Sequence, residues 1–136
     1  MERPELKPGA TATVTYEVRE SDLASAHTLD PEDGFPRVFA TSRMVSVMEV
    51  AAARTLRPLL GPGELSVGIG IDVTHTAPTP AGGMVRATAT FVAREGKRYV
   101  FDLVAEDDAG EIGRARHQRA IVTAERLEAA AQGRKR

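Results

Sequence analysis

The sequence predicts an α+β fold in which an antiparallel five-stranded sheet wraps around one long central helix. Three observations carry this expectation: one stretch with helical periodicity, five stretches with strand alternation, and glycine-rich turns between the last four of those strands. A helix with an apolar stripe needs a second layer to cover it, and a sheet with one apolar face needs the same. At 136 residues the chain is long enough for its own core, so residues 1–136 are expected to form a single domain.

In chain order, residues 10–18 alternate as Ala-Thr-Ala-Thr-Val-Thr-Tyr-Glu-Val and read as the first strand. Residues 20–34 are polar, end on Pro31 and Gly34, and read as a lid-like loop before the helix. Thr41 or Ser42 offers an N-cap hydroxyl; Val45, Met48, Ala52 and Leu56 then follow at helical spacing until Pro58 and Gly61 stop the run. Ala51, Ala52 and Ala53 allow the sheet or a second helix to approach closely. Residues 67–75, 84–94, 98–107 and 111–123 read as four more strands. Ala81-Gly82-Gly83, Glu95-Gly96-Lys97 and Asp107-Asp108-Ala109-Gly110 close the connections, so the last three strands form a meander. A short helix rich in Ala and Glu is expected over residues 124–132. The long alternating segment 84–94 looks like an edge strand that would be a liability if left unpaired.

Three segments carry residue types suited to chemistry. Val73-Thr74-His75-Thr76-Ala77-Pro78-Thr79-Pro80 lays a histidine on a strand-like run and then breaks the strand with two prolines. Imidazole titrates nearest neutrality, so a positioned His75 can trade protons, although a histidine on a strand is more often a hydrogen-bonded structural residue. Glu49 lies close to the apolar stripe of the helix, as either a snorkelling edge residue or a buried acid, and burying an unpaired charge is costly. Its helix neighbours Val45, Ala52 and Ala53 offer no cation, so a partner must come from another element. In Gly113-Arg114-Ala115-Arg116-His117-Gln118-Arg119, strand alternation puts Arg114, Arg116 and Gln118 on one face and His117 and Arg119 on the other. The first face reads as solvated; Arg119, beside the apolar Ile121, points at an anion or a carbonyl.

Composition excludes several classes. A formal net charge of -1 with only 4% aromatic residues argues against a nucleic-acid partner, which calls for a basic stripe with stacking rings. The chain has no cysteine, which removes disulfides, a thiol nucleophile and cysteine-based metal sites. His27, His75 and His117 lack paired spacing, so no metal site is expected. No apolar run approaches membrane-spanning length and no signal pattern opens the chain, so a cytoplasmic protein without a membrane partner is expected.

Several blocks together resemble a known group. Phe35-Pro36-Arg37-Val38-Phe39-Ala40 leading to Thr41, Met44-Val45-Ser46-Val47-Met48-Glu49, the turn at Gly68, the His75 block, and Glu111-Ile112-Gly113 with Arg119-Ala120 are nearly collinear with the fluoroacetyl-CoA thioesterase group of the hot-dog-fold thioesterases. The resemblance runs from about Phe35 onward. It implies a hot-dog fold, a homodimer paired through its sheets, and hydrolysis of a small acyl-CoA to free acid and CoA, with no cofactor. It further implies that Thr41, Glu49 and His75 form the catalytic set and that Gly68 and Arg119 assist in binding the thioester, with Phe35 as a gate-like substrate-binding aromatic. The expected roles are Glu49 as general base or nucleophile, His75 as proton shuttle, and Thr41 as a hydroxyl that positions water or takes part in acyl transfer.

Two further expectations qualify the resemblance. Thr41 and Glu49 stand eight positions apart, which on one helix is roughly 12 Å of rise at about 1.5 Å per residue, so they cannot touch. Either the substrate or His75 spans that gap, or the partner subunit supplies one of the two. The polar tract 20–34 lacks the aromatic lid expected of a fluoroacetyl-selective relative, so selection for the fluorinated acyl group is not implied. A hot-dog hydratase acting on an enoyl-CoA and a non-catalytic acyl-CoA-binding dimer are the competing readings.

Overall fold

Alternation in the sequence becomes alternation in burial. In β3 (Met84–Glu95) the side chains of Val85, Ala87, Ala89 and Phe91 are buried while Arg86, Thr88 and Thr90 between them are only half-buried. The computed structural model describes residues 3–135. Its other strands are β1 (Thr11–Glu17), β2 (Glu64–His75), β4 (Arg98–Asp107) and β5 (Gly110–Thr123), with helices α1 (Thr41–Leu56) and α2 (Ala124–Gly133). All five strands join one antiparallel sheet in the order β1-β3-β4-β5-β2. This sheet wraps α1, which lies mainly against β3 and β1, in the hot-dog arrangement. Gly82, Gly96 and Gly110 hold positive φ in the expected turns, and β3, β4 and β5 form the expected meander.

The stripe that α1 buries is Met44, Val47, Met48, Ala51, Ala52, Thr55 and Leu56. Val45, expected on it, is only half-buried and sits one turn before Glu49 at the rim. The small Ala51 and Ala52 are fully buried, which lets the helix axis come close to the sheet. A second close approach depends on Gly113 in β5: a Cβ there would lie 2.8 Å from Met44 Cε and 2.6 Å from the Thr74 carbonyl oxygen. The missing side chain therefore seats the first turn of α1 against β2. Truncating the buried Met44 to alanine would cost about 2–5 kcal/mol.

Two expectations are corrected here. The segment 84–94 is not an edge, because β3 lies between β1 and β4; the edges are β1 and β2. Alternation marks which face is buried but carries no information about which strands are neighbours. Likewise neither Thr41 nor Ser42 caps α1: the N-cap is Ala40, with no side-chain cap, and the first helical bond runs from the Met44 amide to the Ala40 carbonyl.

The tract before α1 starts with two short 3-10 turns, Glu20–Asp22 and Ala24–His27, and continues as an exposed loop to residue 37. Its base is clamped. Asp22 is buried and accepts bonds from the Tyr16 hydroxyl, the Arg19 amide at 2.8 Å and Arg43 Nε at 2.9 Å, while its carbonyl receives the Ala40 amide at 2.9 Å. Burial alone would push the Asp22 carboxyl up, but the bonds from Tyr16, Arg19 and Arg43 together hold it below its ordinary value. Because Ala40 and Arg43 bracket Thr41, the Asp22 carbonyl and carboxylate together fix the position of the helix start. Among the described residues no helix is long and apolar enough to cross a membrane.

Candidate active site

Strand β2 ends at His75, where Pro78 and Pro80 prevent its continuation. Across the sheet His75 pairs with Gly113, the glycine that admits Met44, so the start of α1 comes to lie over the imidazole. The Thr41 hydroxyl and His75 Nδ1 stand 2.8 Å apart. The hydroxyl expected to cap the helix is therefore spent on the histidine. His75 Nε2 is buried and has no hydrogen-bond partner among the described residues. Burial pushes the His75 imidazole below its ordinary value, against a smaller opposing effect of the Ala77 backbone, so the ring is neutral at neutral pH. A cleft of about 250 Å³ opens here between Val38, His75 and Pro78.

The second cluster forms farther along α1. Glu49 finds its cation on β5, as the absence of one on its own helix face requires: Arg119 Nη1 donates to Glu49 Oε2 at 2.8 Å. Arg119 is buried and makes four bonds in all, to Glu49, to His117 Nε2 at 3.1 Å, to Ser66 Oγ at 2.9 Å and to the Ser66 carbonyl at 2.8 Å. These bonds make Arg119 the group that holds the Glu49 carboxylate. Glu49 keeps 39% of its side chain exposed and lines a cleft of about 220 Å³ together with Val45, Gly68, Ile71 and His117.

Gly68 does not form a turn. It lies inside β2 directly across from Arg119, beside a register shift between Gly68 and Gly70. A Cβ on it would meet Glu49 Oε2 at 2.5 Å and His117 Cε1 at 3.2 Å. The space left by its side chain is occupied by the Glu49 carboxylate. Phe35 stands in the exposed loop with 52% of its surface open, and the buried aromatic of its block is Phe39, stacked on Tyr16.

The fold thus brings Thr41 to His75, and Glu49 to Gly68 and Arg119, but keeps the two groups apart along α1. Two contributors escaped the sequence reading. His117 was visible as sharing a face with Arg119, yet its bonds to that arginine and to Gly70 were not inferred; Ser66 gave no signal, since a serine two positions before a glycine is unremarked in any strand.

Residues 18–125 match the family described as fluoroacetyl-CoA-specific thioesterase. The chain belongs to that family. The fluoroacetyl-CoA thioesterase of Streptantibioticus cattleyicolor is 46% identical over 95 residues, which cover 70% of this chain and 68% of that protein. A solved structure of a fluoroacetyl-CoA thioesterase superposes with a TM-score of 0.92 at 36% identity, covering 98% of this chain and 100% of that one. A threonine-to-serine variant of the fluoroacetyl-CoA enzyme in complex with acetyl-CoA superposes with a TM-score of 0.90 at 36% identity over 96% and 99% of the two chains. Membership in the fluoroacetyl-CoA-specific thioesterase family agrees with the hot-dog fold found above and makes this chain a thioester hydrolase.

Proposed function

We propose that this protein, an acyl-CoA thioesterase by family, hydrolyses a small acyl-CoA at a site shared between two copies of the chain. The observation that carries this reading is the Glu49 carboxylate: Oε2 is pinned by a buried arginine in the space that glycine leaves at position 68, while the side chain stays partly exposed along a cleft. Such a group is oriented yet available, which is what a base or nucleophile at a thioester carbonyl requires.

Glu49 acts on the carbonyl carbon, either through a water it deprotonates or by direct attack, and the C–S bond breaks to release CoA thiolate; after direct attack a water then hydrolyses the Glu49–acyl anhydride to free acid and restores the carboxylate. The neutral His75 manages the proton, and the Thr41 hydroxyl bonded to it positions the water or the acyl carbonyl. The uncapped first turn of α1 adds amide donors at the place where the developing oxyanion needs them. Thr41 and Glu49 are too far apart along α1 for one carbonyl within one chain, at roughly 12 Å of helical rise. A second copy removes the difficulty, because β2 is an edge strand that exposes Leu65, Ile69 and Ile71, with Val50 of α1 exposed as well. Pairing of two β2 edges covers this apolar surface and continues the sheet. In this homodimer Glu49 of one copy faces Thr41 and His75 of the other.

Fluoroacetyl-CoA enters as a substrate through the names of the relatives. The loop that would close over the acyl group is exposed from residue 28 to residue 37, including Leu29 and Phe35. A site with so open a cover discriminates weakly among small acyl groups, so the substrate class is short acyl-CoA in general. The deciding experiment is a free-thiol assay over a panel of acyl-CoAs and one enoyl-CoA. Release of CoA from short acyl-CoAs, lost in Glu49→Gln, supports the reading. Hydration of the enoyl-CoA without CoA release, or binding without turnover of any thioester, defeats it.

A further inference from the structure

His117 is 2% exposed, so every polar atom it carries must be satisfied inside the protein. Its Nδ1 lies 2.8 Å from the Gly70 carbonyl oxygen. A carbonyl only accepts, so Nδ1 carries the proton. Its Nε2 lies 3.1 Å from Arg119 Nη1. A guanidinium only donates, so Nε2 carries the lone pair. The two contacts together are compatible with one form of the ring, the neutral Nδ1–H tautomer. A doubly protonated ring would set an N–H against the N–H of Arg119, charge against charge.

Glu49 Oε2 is 3.9 Å from His117 Nε2, too long for a hydrogen bond, so the histidine reaches the carboxylate only through the arginine. We infer that His117 is a positioning residue for Glu49: held by the Gly70 carbonyl, it presents a lone pair that fixes Arg119 Nη1, and Arg119 in turn fixes the carboxylate. The source of the order is the register shift between Gly68 and Gly70, since irregularities of this kind re-aim groups on a strand next to a site. The relay then runs Gly70 oxygen, imidazole, guanidinium, carboxylate, with Ser66 clamping the far side of the guanidinium. Burial first, and the charge of Arg119 after it, hold the imidazole below its ordinary value against the opposing Gly70 bond and Glu49, in keeping with a neutral ring.

This inference rests on the reading of Glu49 as the group that acts on the thioester, and the two can be separated. The wild-type protein, labelled with ¹⁵N at histidine, reports the tautomer of His117 by NMR at neutral pH, and the Nδ1–H form is expected. In steady-state assays with acetyl-CoA, His117→Leu keeps the volume but loses the acceptor and should lower kcat by about 10²-fold, with KM within about threefold. His117→Gln, whose side-chain oxygen can accept from Arg119, should recover most of that loss. An Nε2–H tautomer or an imidazolium in the wild type overturns the inference, and this holds even when the leucine variant fails to fold. Equal impairment of the leucine and glutamine variants, in step with their melting temperatures, also overturns it by showing a packing role alone. Retained activity in Glu49→Ala overturns the reading of the carboxylate and the relay with it. Loss of activity in Glu49→Ala together with an unchanged kcat in His117→Leu overturns the relay alone.

Discussion

The two ends of the site hold one histidine each, and they use them differently. At the Thr41 end, His75 makes one side-chain bond through Nδ1 and buries Nε2 without a partner. At the Glu49 end, both nitrogens of His117 are engaged and its arginine neighbour makes four bonds. Burial depresses both imidazoles, so burial does not distinguish them. The number of unused polar atoms does. A saturated network fixes geometry, while a buried atom left without a partner is costly and is retained where chemistry uses it.

The largest expected effect comes from emptying each end in turn. Glu49→Gln and His75→Ala should each reduce CoA release by about 10²- to 10⁴-fold while the melting temperature and the elution volume stay put. Loss of stability in parallel with activity would assign both residues to the scaffold and erase the contrast.

A smaller effect is expected where the two functions meet at one atom. In Gly68→Val the added Cβ would lie 2.5 Å from Glu49 Oε2, so the carboxylate must move although the strand need not. A fall in kcat of about 10²-fold with little change in melting temperature is expected, since misplacement by about 1 Å is enough. Kinetics equal to wild type would remove Gly68 from the site.

The legibility of the chain divides along similar lines. Strands, turns and the two α-helices were readable because alternation, periodicity and Gly82, Gly96 and Gly110 are local signals. The need of Glu49 for a cation from elsewhere was readable from its helix neighbours, and the shared face of His117 and Arg119 from strand alternation. Strand order beyond the meander was not, since β3 owes its interior place to β1, which is distant in sequence. The use of the Thr41 hydroxyl was misassigned because capping is the local default, and only the fold brings His75 within reach. The closeness of Gly68 to Glu49 was not readable for a related reason: a glycine announces a missing side chain but not which neighbour fills the space.

Proton linkage sharpens the contrast more gently. Both imidazoles have folded values below their unfolded ones, so the unfolded chain binds more protons and stability rises with pH across that window. Their contribution is complete above the ordinary imidazole value and is lost as pH falls through the folded values. Melting temperatures followed from mildly alkaline to mildly acidic pH should therefore decline, and replacing either His75 or His117 by glutamine should flatten the decline. A slope that neither substitution changes would show that these histidines do not set it.

The smallest effect concerns the acyl group. A fluorine or a methylene in an apolar pocket changes binding by only about 1–3 kcal/mol, and an open cover reduces that further. The ratio of kcat/KM for fluoroacetyl-CoA to that for acetyl-CoA should thus lie within about tenfold. A preference of several orders of magnitude would show that the exposed loop from residue 28 to residue 37 closes over the substrate.

That loop leaves the body of the protein just after the Asp22 clamp, and the clamp gives it an unusual freedom. Asp22 ties the helix start through its carbonyl, which accepts from the Ala40 amide, and its buried carboxylate, which accepts from the half-exposed Arg43, so Thr41 takes its position from Asp22 and not from the loop that connects them. Residues 28–37 can therefore be exchanged as a cassette, in length as well as in chemistry, without moving the Thr41 hydroxyl from His75. The fold thus separates the proposed reacting groups from the loop proposed to select the acyl group, so a graft of a more apolar loop should re-specify that group while leaving the rest of the sequence untouched.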